Sequence, residues 1–151
     1  MTITEVRSST FVADLVNFLR DKFNDNITDP ISSSRAANDR FVLTEYPRRA
    51  VKYPVITITD TGTRQEARLG FQAEGTVLRL GIEIRIWARN VVERDELFDE
   101  VYTWLRTNQF GGSDATTDAG IHDFNMTSVV NVSEADVKSK IIEVKYLFIA
   151  E

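Results

Sequence analysis

The most constraining feature of the sequence is the segment TVLRLGIEIRIWAR, at residues 76–89. Every second residue from Leu78 to Ile86 is a leucine or an isoleucine, and most of the residues between them are charged. This period of two predicts a β-strand that buries one face and leaves the other open to solvent. The next segment, NVVERDELFDEVYTWLRTN, has apolar residues every three or four positions. That spacing predicts an amphipathic helix directly after the strand.

The strand period of two and the helical spacing of three or four also predict the remaining elements. An apolar stripe at helical spacing predicts a first helix, with Thr10 as its N-cap and its end near Phe23. The second helix is predicted to begin with Asn90 as its cap, to carry Glu93 three residues later as in a capping box, and to end near Asn108. Strands are predicted at 50–60, 76–89, 121–132 and 138–150, and a short one at 41–45.

The predicted order of the main elements is α-β-β-α-β-β. It indicates an α+β fold with a mainly antiparallel four-stranded sheet and two helices packed on one face. We expect residues 1–151 to form a single domain. Residues 24–40 are polar and predict a long loop, and residues 61–75 predict an extended arm between two paired strands. Because long connections in compact domains are usually either functional or disordered, we expect this loop and arm to carry subunit or partner contacts.

The composition offers few of the residues that catalysis usually requires. The chain has no cysteine and one histidine, His122, so it lacks the ligands for a zinc site and the residues for a thiolate nucleophile. There is no Gly-x-Ser-x-Gly elbow beside His122, and neither of the glycine-rich phosphate-binding motifs occurs. We therefore predict no catalytic residue, no metal ligand and no cofactor, and we expect a protein that is not an enzyme.

Charge is unevenly distributed along the chain. The formal net charge of −5 argues against a dedicated nucleic-acid binder, whose affinity depends on phosphate neutralisation. Residues 35–68 hold seven basic and four acidic groups, a net of +3, whereas the rest of the chain has a net charge of −8. Two interpretations remain open, a basic portion that meets the acidic portion of another copy and a solvated loop with several arginines. No apolar run is long enough to span a membrane, and no secretory signal is expected.

Candidate interface residues follow from these patterns. The basic candidates are Arg48, Arg49, Lys52, Arg64 and Arg68, and the acidic candidates are Glu93, Asp95, Glu96, Asp99 and Glu100. The acidic set is also what an ordinary solvated helix face would carry.

Trp87 and Arg85 complete the set of candidates, since a large aromatic residue among arginines is typical of an interface. The alternative is that a helix end or the 61–75 arm covers Trp87. Trp104 lies on the apolar stripe of the second helix and is expected in the core.

Several stretches together resemble the tail terminator and tail-completion proteins of long-tailed bacteriophages. They are the strand ending IRIWAR, the helix LFDEVYTWL after it, the N-terminal helix FVADLVNFLRDKF, the strand YPVITITD and the strand that closes the chain. The resemblance spans about residues 9–150 and rests on element order and hydrophobic texture.

This resemblance implies an α+β subunit of a hexameric ring at the head-proximal end of the tail tube. Such a ring stops tube polymerisation, contacts the tube protein and the neck or connector protein, and lets the genome pass without sequence-specific binding. It implies location in the virion after assembly in the host cytoplasm. Two alternatives remain, another head–tail joining protein and a small-ligand-binding module. The chain lacks the convergent polar cluster on an apolar face that such a module would need.

Overall fold

The computed structural model describes residues 11–36, 39–46, 52–69, 75–107, 121–134 and 137–150. The described residues form two α-helices, a short 3-10 helix and five strands. In chain order these are α1 (Phe11–Asn26), the 3-10 helix (Ser32–Ser34), β1 (Val42–Leu43), β2 (Val55–Leu69), β3 (Gly75–Ala88), α2 (Val91–Thr107), β4 (Ile121–Ser133) and β5 (Lys138–Ala150). The predicted α+β class is confirmed.

The sheet has five strands in the order β1-β2-β3-β5-β4, so the predicted four-stranded antiparallel sheet needs correction. The additional strand, β1, is two residues long and pairs parallel to the start of β2, with Val42 opposite Ile56. All the other neighbouring strands are antiparallel. The short strand predicted at 41–45 is confirmed as β1, but its parallel pairing into the sheet cannot be inferred from a local pattern. Pro54, which has no N–H group, lies just before β2, where the ladder begins.

Both helices pack on the same face of the sheet. The buried apolar side chains described for β3 are Leu80, Ile82, Ile84, Ile86 and Ala88, and the registers place Ile84 opposite Ile58 of β2 and Ile142 of β5. The helices add to the same hydrophobic cluster, with Leu15, Phe18, Leu19 and Phe23 from α1 and Leu97, Val101, Trp104 and Leu105 from α2. The prediction that Trp104 lies in the core is confirmed, since its ring meets Phe23 edge-on at 5.4 Å between centroids.

The segment at 61–75 is largely the end of a long β2–β3 hairpin. Residues 61–69 continue β2, and the pairing runs from Arg64 opposite Leu80 to Leu69 opposite Gly75. The register shifts between Asp60 and Arg64, where Gly62 has a φ of 83°. That left-handed backbone conformation is readily adopted only by glycine.

The loop between α1 and β1 is shorter than predicted and contains ordered structure. Helix α1 continues to Asn26, three residues beyond the predicted end at Phe23. The 3-10 helix at Ser32–Ser34 then takes up part of the 24–40 segment. The last residues of α1 could not be predicted as helical, because they are polar and lack the apolar period that marks a helix.

Candidate assembly surfaces

Trp87 lies on the sheet face opposite the helices, as the alternation of β3 predicts. Its indole is half-buried and is covered by residues of the same chain. The ring of Tyr46 lies 4.7 Å from the indole between centroids, and Nε1 of Trp87 donates a hydrogen bond of 3.0 Å to Oγ1 of Thr57. The described cover therefore comes from the segment after β1, and includes neither a helix end nor the arm. Contact with a partner stays a prediction for the part of the indole that remains exposed.

Arg85 is held beside Trp87 and forms no ion pair with a described residue. The guanidinium carbon lies 3.7 Å from the centroid of the Trp87 ring, and Nη2 donates to Oγ of Ser139 at 3.4 Å. Its Nε is inaccessible to solvent and has no hydrogen-bond partner in the described part of the chain. None of the ion pairs among the described residues includes Arg85. Stacking, and not ion pairing, therefore positions this cation.

Tyr46, which packs against Trp87, also contacts a second tyrosine through its hydroxyl. The Oη atoms of Tyr46 and Tyr53 lie 2.5 Å apart. The pKa of Tyr53 is raised to about 12. Burial is the largest cause, and the hydrogen bond to Tyr46 is the second. We call the group formed by Tyr46, Tyr53, Thr57, Arg85, Trp87 and Ser139 the aromatic–arginine cluster. Its members come from β2, β3, β5 and the segments that flank β1 and β2.

We expect the pKa of Tyr53 to report directly on the tyrosine pair. Because the folded-state pKa is raised above the ordinary value of 10.0, the neutral phenol contributes stability below about pH 10, and this contribution is lost as pH rises toward about 12. Tyr46→Phe removes the hydrogen bond and should lower the pKa of Tyr53, measured as tyrosinate absorbance during an alkaline titration. Tyr102→Phe, at an exposed site on α2, is the matched control. Equal titration curves for the two variants would contradict the pairing.

The predicted cap of helix α2 is confirmed, but the carboxylate of Glu93 bonds to the residue before the cap, Arg89, and not to Asn90 as in a capping box. Oδ1 of Asn90 accepts a 2.9 Å hydrogen bond from the backbone N–H of Glu93, which confirms Asn90 as the cap. Oε1 of Glu93 accepts hydrogen bonds of 3.1 Å from both the backbone N–H and Nε of Arg89. Burial by itself would raise the pKa of the Glu93 carboxyl, but the hydrogen bonds from Arg89 hold it below its ordinary value. The carboxylate of Glu93 is thus engaged within its own chain.

Two more of the five acidic candidates have partners inside the chain. Oδ1 of Asp95 lies 3.0 Å from Nε of Arg94 and 3.3 Å from Nζ of Lys140. The hydrogen bond from Arg94 is the main cause that lowers the pKa of the Asp95 carboxyl. Glu100 accepts a long hydrogen bond of 3.4 Å from the backbone N–H of Thr28, which joins α2 to the loop after α1.

Glu96 and Asp99 differ from the other acidic candidates. Both side chains are exposed, and neither has an ion pair or a hydrogen bond among the described residues. A groove of about 380 Å³ lies beside Glu96, with Pro30, Val92 and Leu97 in its walls together with the carboxylates of Glu93 and Glu100. The free negative charge of α2 is therefore concentrated at Glu96 and Asp99.

Of the five basic candidates, only Lys52 has a side chain among the described residues. Arg48 and Arg49 lie outside the described residues, and so do the side chains of Arg64 and Arg68, whose backbone belongs to β2. Nζ of Lys52 donates to the backbone oxygen of Ser34 at 2.9 Å and is exposed. A common basic surface formed by these residues stays a prediction.

No sequence pattern indicates the role of Arg35, which is one of the seven basic groups at residues 35–68. Its side chain is 6% exposed and pairs with Asp29 through Nε and Nη2, at 2.7 and 3.1 Å. It also donates to the backbone oxygens of Lys52 and Pro54, at 3.0 and 2.7 Å, and lies over the ring of Phe41. Through these hydrogen bonds Arg35 connects the loop after α1 to the residues at the start of β2. Its spacing from Asp29 and Asp39 matches no known motif that could have predicted this.

A metal site and a membrane-spanning helix would each impose requirements on the described part of the chain. No group of three or more acidic or histidine side chains there is arranged to hold a metal ion. The backbone of His122 lies in β4, as predicted, and its side chain lies outside the described residues. None of the described helices has the length and apolarity needed to cross a membrane. No protein-family model and no curated protein matches the chain.

Proposed function

We propose that this chain is a non-enzymatic structural subunit of a bacteriophage virion, a tail terminator that assembles into a ring. The ring, a homohexamer, caps the head-proximal end of the tail tube and joins the tube to the neck or connector protein. It forms in the host cytoplasm and becomes part of the virion, where the genome passes through its lumen without sequence-specific binding. It uses no cofactor and contacts no membrane.

The observation that carries this proposal is the presence of two unmatched charged surfaces on one small domain. Arg85 has no acidic partner among the described residues, and Glu96 and Asp99 have no basic one. Single exposed charges are common on any protein, but Arg85 is stacked on a tryptophan, and Arg and Trp are enriched at the centres of interfaces. These features are consistent with a subunit that meets copies of itself.

The alternatives make different predictions. Another head–tail joining protein would also self-assemble, and only its position in the particle would differ. A small-ligand-binding module needs an apolar pocket with a few convergent polar groups. The groove beside Glu96 is lined by Pro30, Val92 and Leu97 together with three glutamates, of which Glu93 already pairs with Arg89, so a ligand there would meet negative charge.

We expect the purified chain to form a closed ring whose assembly weakens as salt increases. Contacts between exposed charges are screened over about 10 Å at about 0.1 M salt and over about 3 Å at about 1 M salt. Light scattering after size-exclusion chromatography at both ionic strengths measures this, and negative-stain images reveal the ring. A chain that stays monomeric at high concentration in low salt would favour the ligand-binding module. Antibody labelling of whole particles then distinguishes a terminator from another neck protein.

A further inference from the structure

Arg85 carries a charge that is fixed in place before any partner binds. The indole of Trp87 supports one face of the guanidinium at 3.7 Å, while Ser139 accepts a hydrogen bond from Nη2. Nε is shielded from solvent, so only the outer end of the group can meet a carboxylate. A stacked arginine loses less side-chain freedom on binding than a free lysine or arginine does. Arg85 is therefore well suited to an end-on contact with an acidic group.

Glu96 and Asp99 offer the matching charge on a different side of the domain. They are three residues apart on α2, so their side chains are neighbours on the helix surface. Asp99 is about half a turn of helix away from Leu97, which is buried against the sheet. Arg85 lies on the sheet face that points away from both helices. One copy therefore cannot bring Arg85 to its own Glu96 and Asp99.

We propose that Arg85 of one copy binds the carboxylates of Glu96 and Asp99 of the next copy. The partner of each surface is thus a second copy of the same chain, and this contact rests on the ring assembly proposed above. The other acidic candidates are poorer partners, because Glu93 pairs with Arg89 and Asp95 with Arg94 and Lys140.

The placement of these groups decides the geometry of the assembly. Two different patches on opposite sides of the domain form a heterologous, head-to-tail contact. Repeating such a contact closes into a ring when the rotation between copies permits. In a two-fold dimer, Arg85 and the Glu96–Asp99 pair would have to lie in one patch of each copy. Groups on opposite sides of the domain cannot share a patch.

Charge exchange tests this contact in the full-length chain. Arg85→Glu alone, and Glu96→Arg with Asp99→Arg, should each weaken association at least roughly tenfold, because each places like charges against one another. The variant that carries all three substitutions restores complementarity and should assemble again. A mixture of Arg85→Glu chains with Glu96→Arg, Asp99→Arg chains should also assemble, with swapped and natural contacts alternating. Asp25→Arg, at an exposed acidic residue of α1, is the control and should assemble as the natural chain does.

The outcomes separate the contact from the ring itself. If the natural chain forms rings and the Glu96→Arg, Asp99→Arg chain does so equally well, the contact is wrong and the ring proposal stands. Failure of both the triple variant and the mixture to assemble, with circular dichroism unchanged, also overturns the contact. A natural chain that remains monomeric overturns the proposed function, and the contact with it. Should Arg85→Glu fail to fold, Arg85→Gln removes the charge at similar length, and its normal assembly would count against the contact.

Discussion

Arg35→Gln is expected to destabilise the folded chain by about 3–5 kcal/mol. The substitution removes the cation from a pair in which the Arg35 side chain is 6% exposed and that of Asp29 is 14% exposed. It leaves the carboxylate of Asp29 partly buried without its partner, and it removes the donors to the carbonyl oxygens of Lys52 and Pro54. For a domain of this size we expect the melting temperature to fall by on the order of 10 °C.

Chemical denaturation and thermal melting measure this effect, and two further variants make it specific. Arg40→Gln is the matched control, because the Arg40 side chain is exposed and forms no hydrogen bond or ion pair in the described part of the chain, so its effect should stay within about 0.5 kcal/mol. Arg35→Lys keeps the charge and should still lose most of the stability, since a lysine cannot supply the planar fork that reaches Asp29 and both carbonyls. Equal stability of Arg35→Gln and Arg40→Gln would mean that the loop is held by other contacts.

Trp87→Ala is expected to lower the stability of the monomer by about 3 kcal/mol and to loosen assembly by about 2 kcal/mol per interface. Part of the first effect comes from lost packing against Tyr46 and Arg85. Another part comes from Thr57, which is 5% exposed and loses its hydrogen-bond donor. A fully exposed indole would have left monomer stability unchanged, but the cover by Tyr46 makes Trp87 part of the fold as well.

Trp87→Phe separates the two contributions. A phenyl ring keeps an aromatic surface for Tyr46 and Arg85 but cannot donate to Thr57, so we expect a loss of about 1 kcal/mol. Denaturation of the variants at high salt, where the assembly is weakest, gives monomer stability, and light scattering at low salt gives association. A Trp87→Ala chain that unfolds readily yet assembles normally would place Trp87 in the subunit's own fold and remove it from the interface.

Much of the scaffold was predictable from the sequence because its signals are local. The alternation from Leu78 to Ile86 identifies both the strand β3 and the face that it buries. The pair Asn90 and Glu93 marks the start of α2, and their hydrogen bond confirms it. Patterns of this kind lie within one element, where the side-chain period is fixed by backbone geometry and needs no knowledge of the rest of the chain.

The candidate surfaces were predicted only in outline. The sequence identified Trp87, Arg85 and the acidic side of α2, but it treated five carboxylates as equivalent. Three of them prove to be engaged, by Arg89, by Arg94 with Lys140, and by the backbone of Thr28. Exposure and pairing depend on which side chains happen to lie nearby, so residue type alone could not separate Glu96 and Asp99 from their neighbours.

The sequence by itself determined the class of fold, the buried faces and the start of α2, because each follows from the short-range geometry of strands and helices. Only the tertiary structure decided the parallel pairing of β1, the cover of Trp87 by Tyr46 and the anchoring role of Arg35. The last two join residues 41 and 19 positions apart, and no pattern within a single strand or helix relates such positions. Such contacts form where packing of the core brings distant segments together. A buried charge such as that of Arg35 is tolerated there only because its ion-pair and hydrogen-bond partners lie within reach.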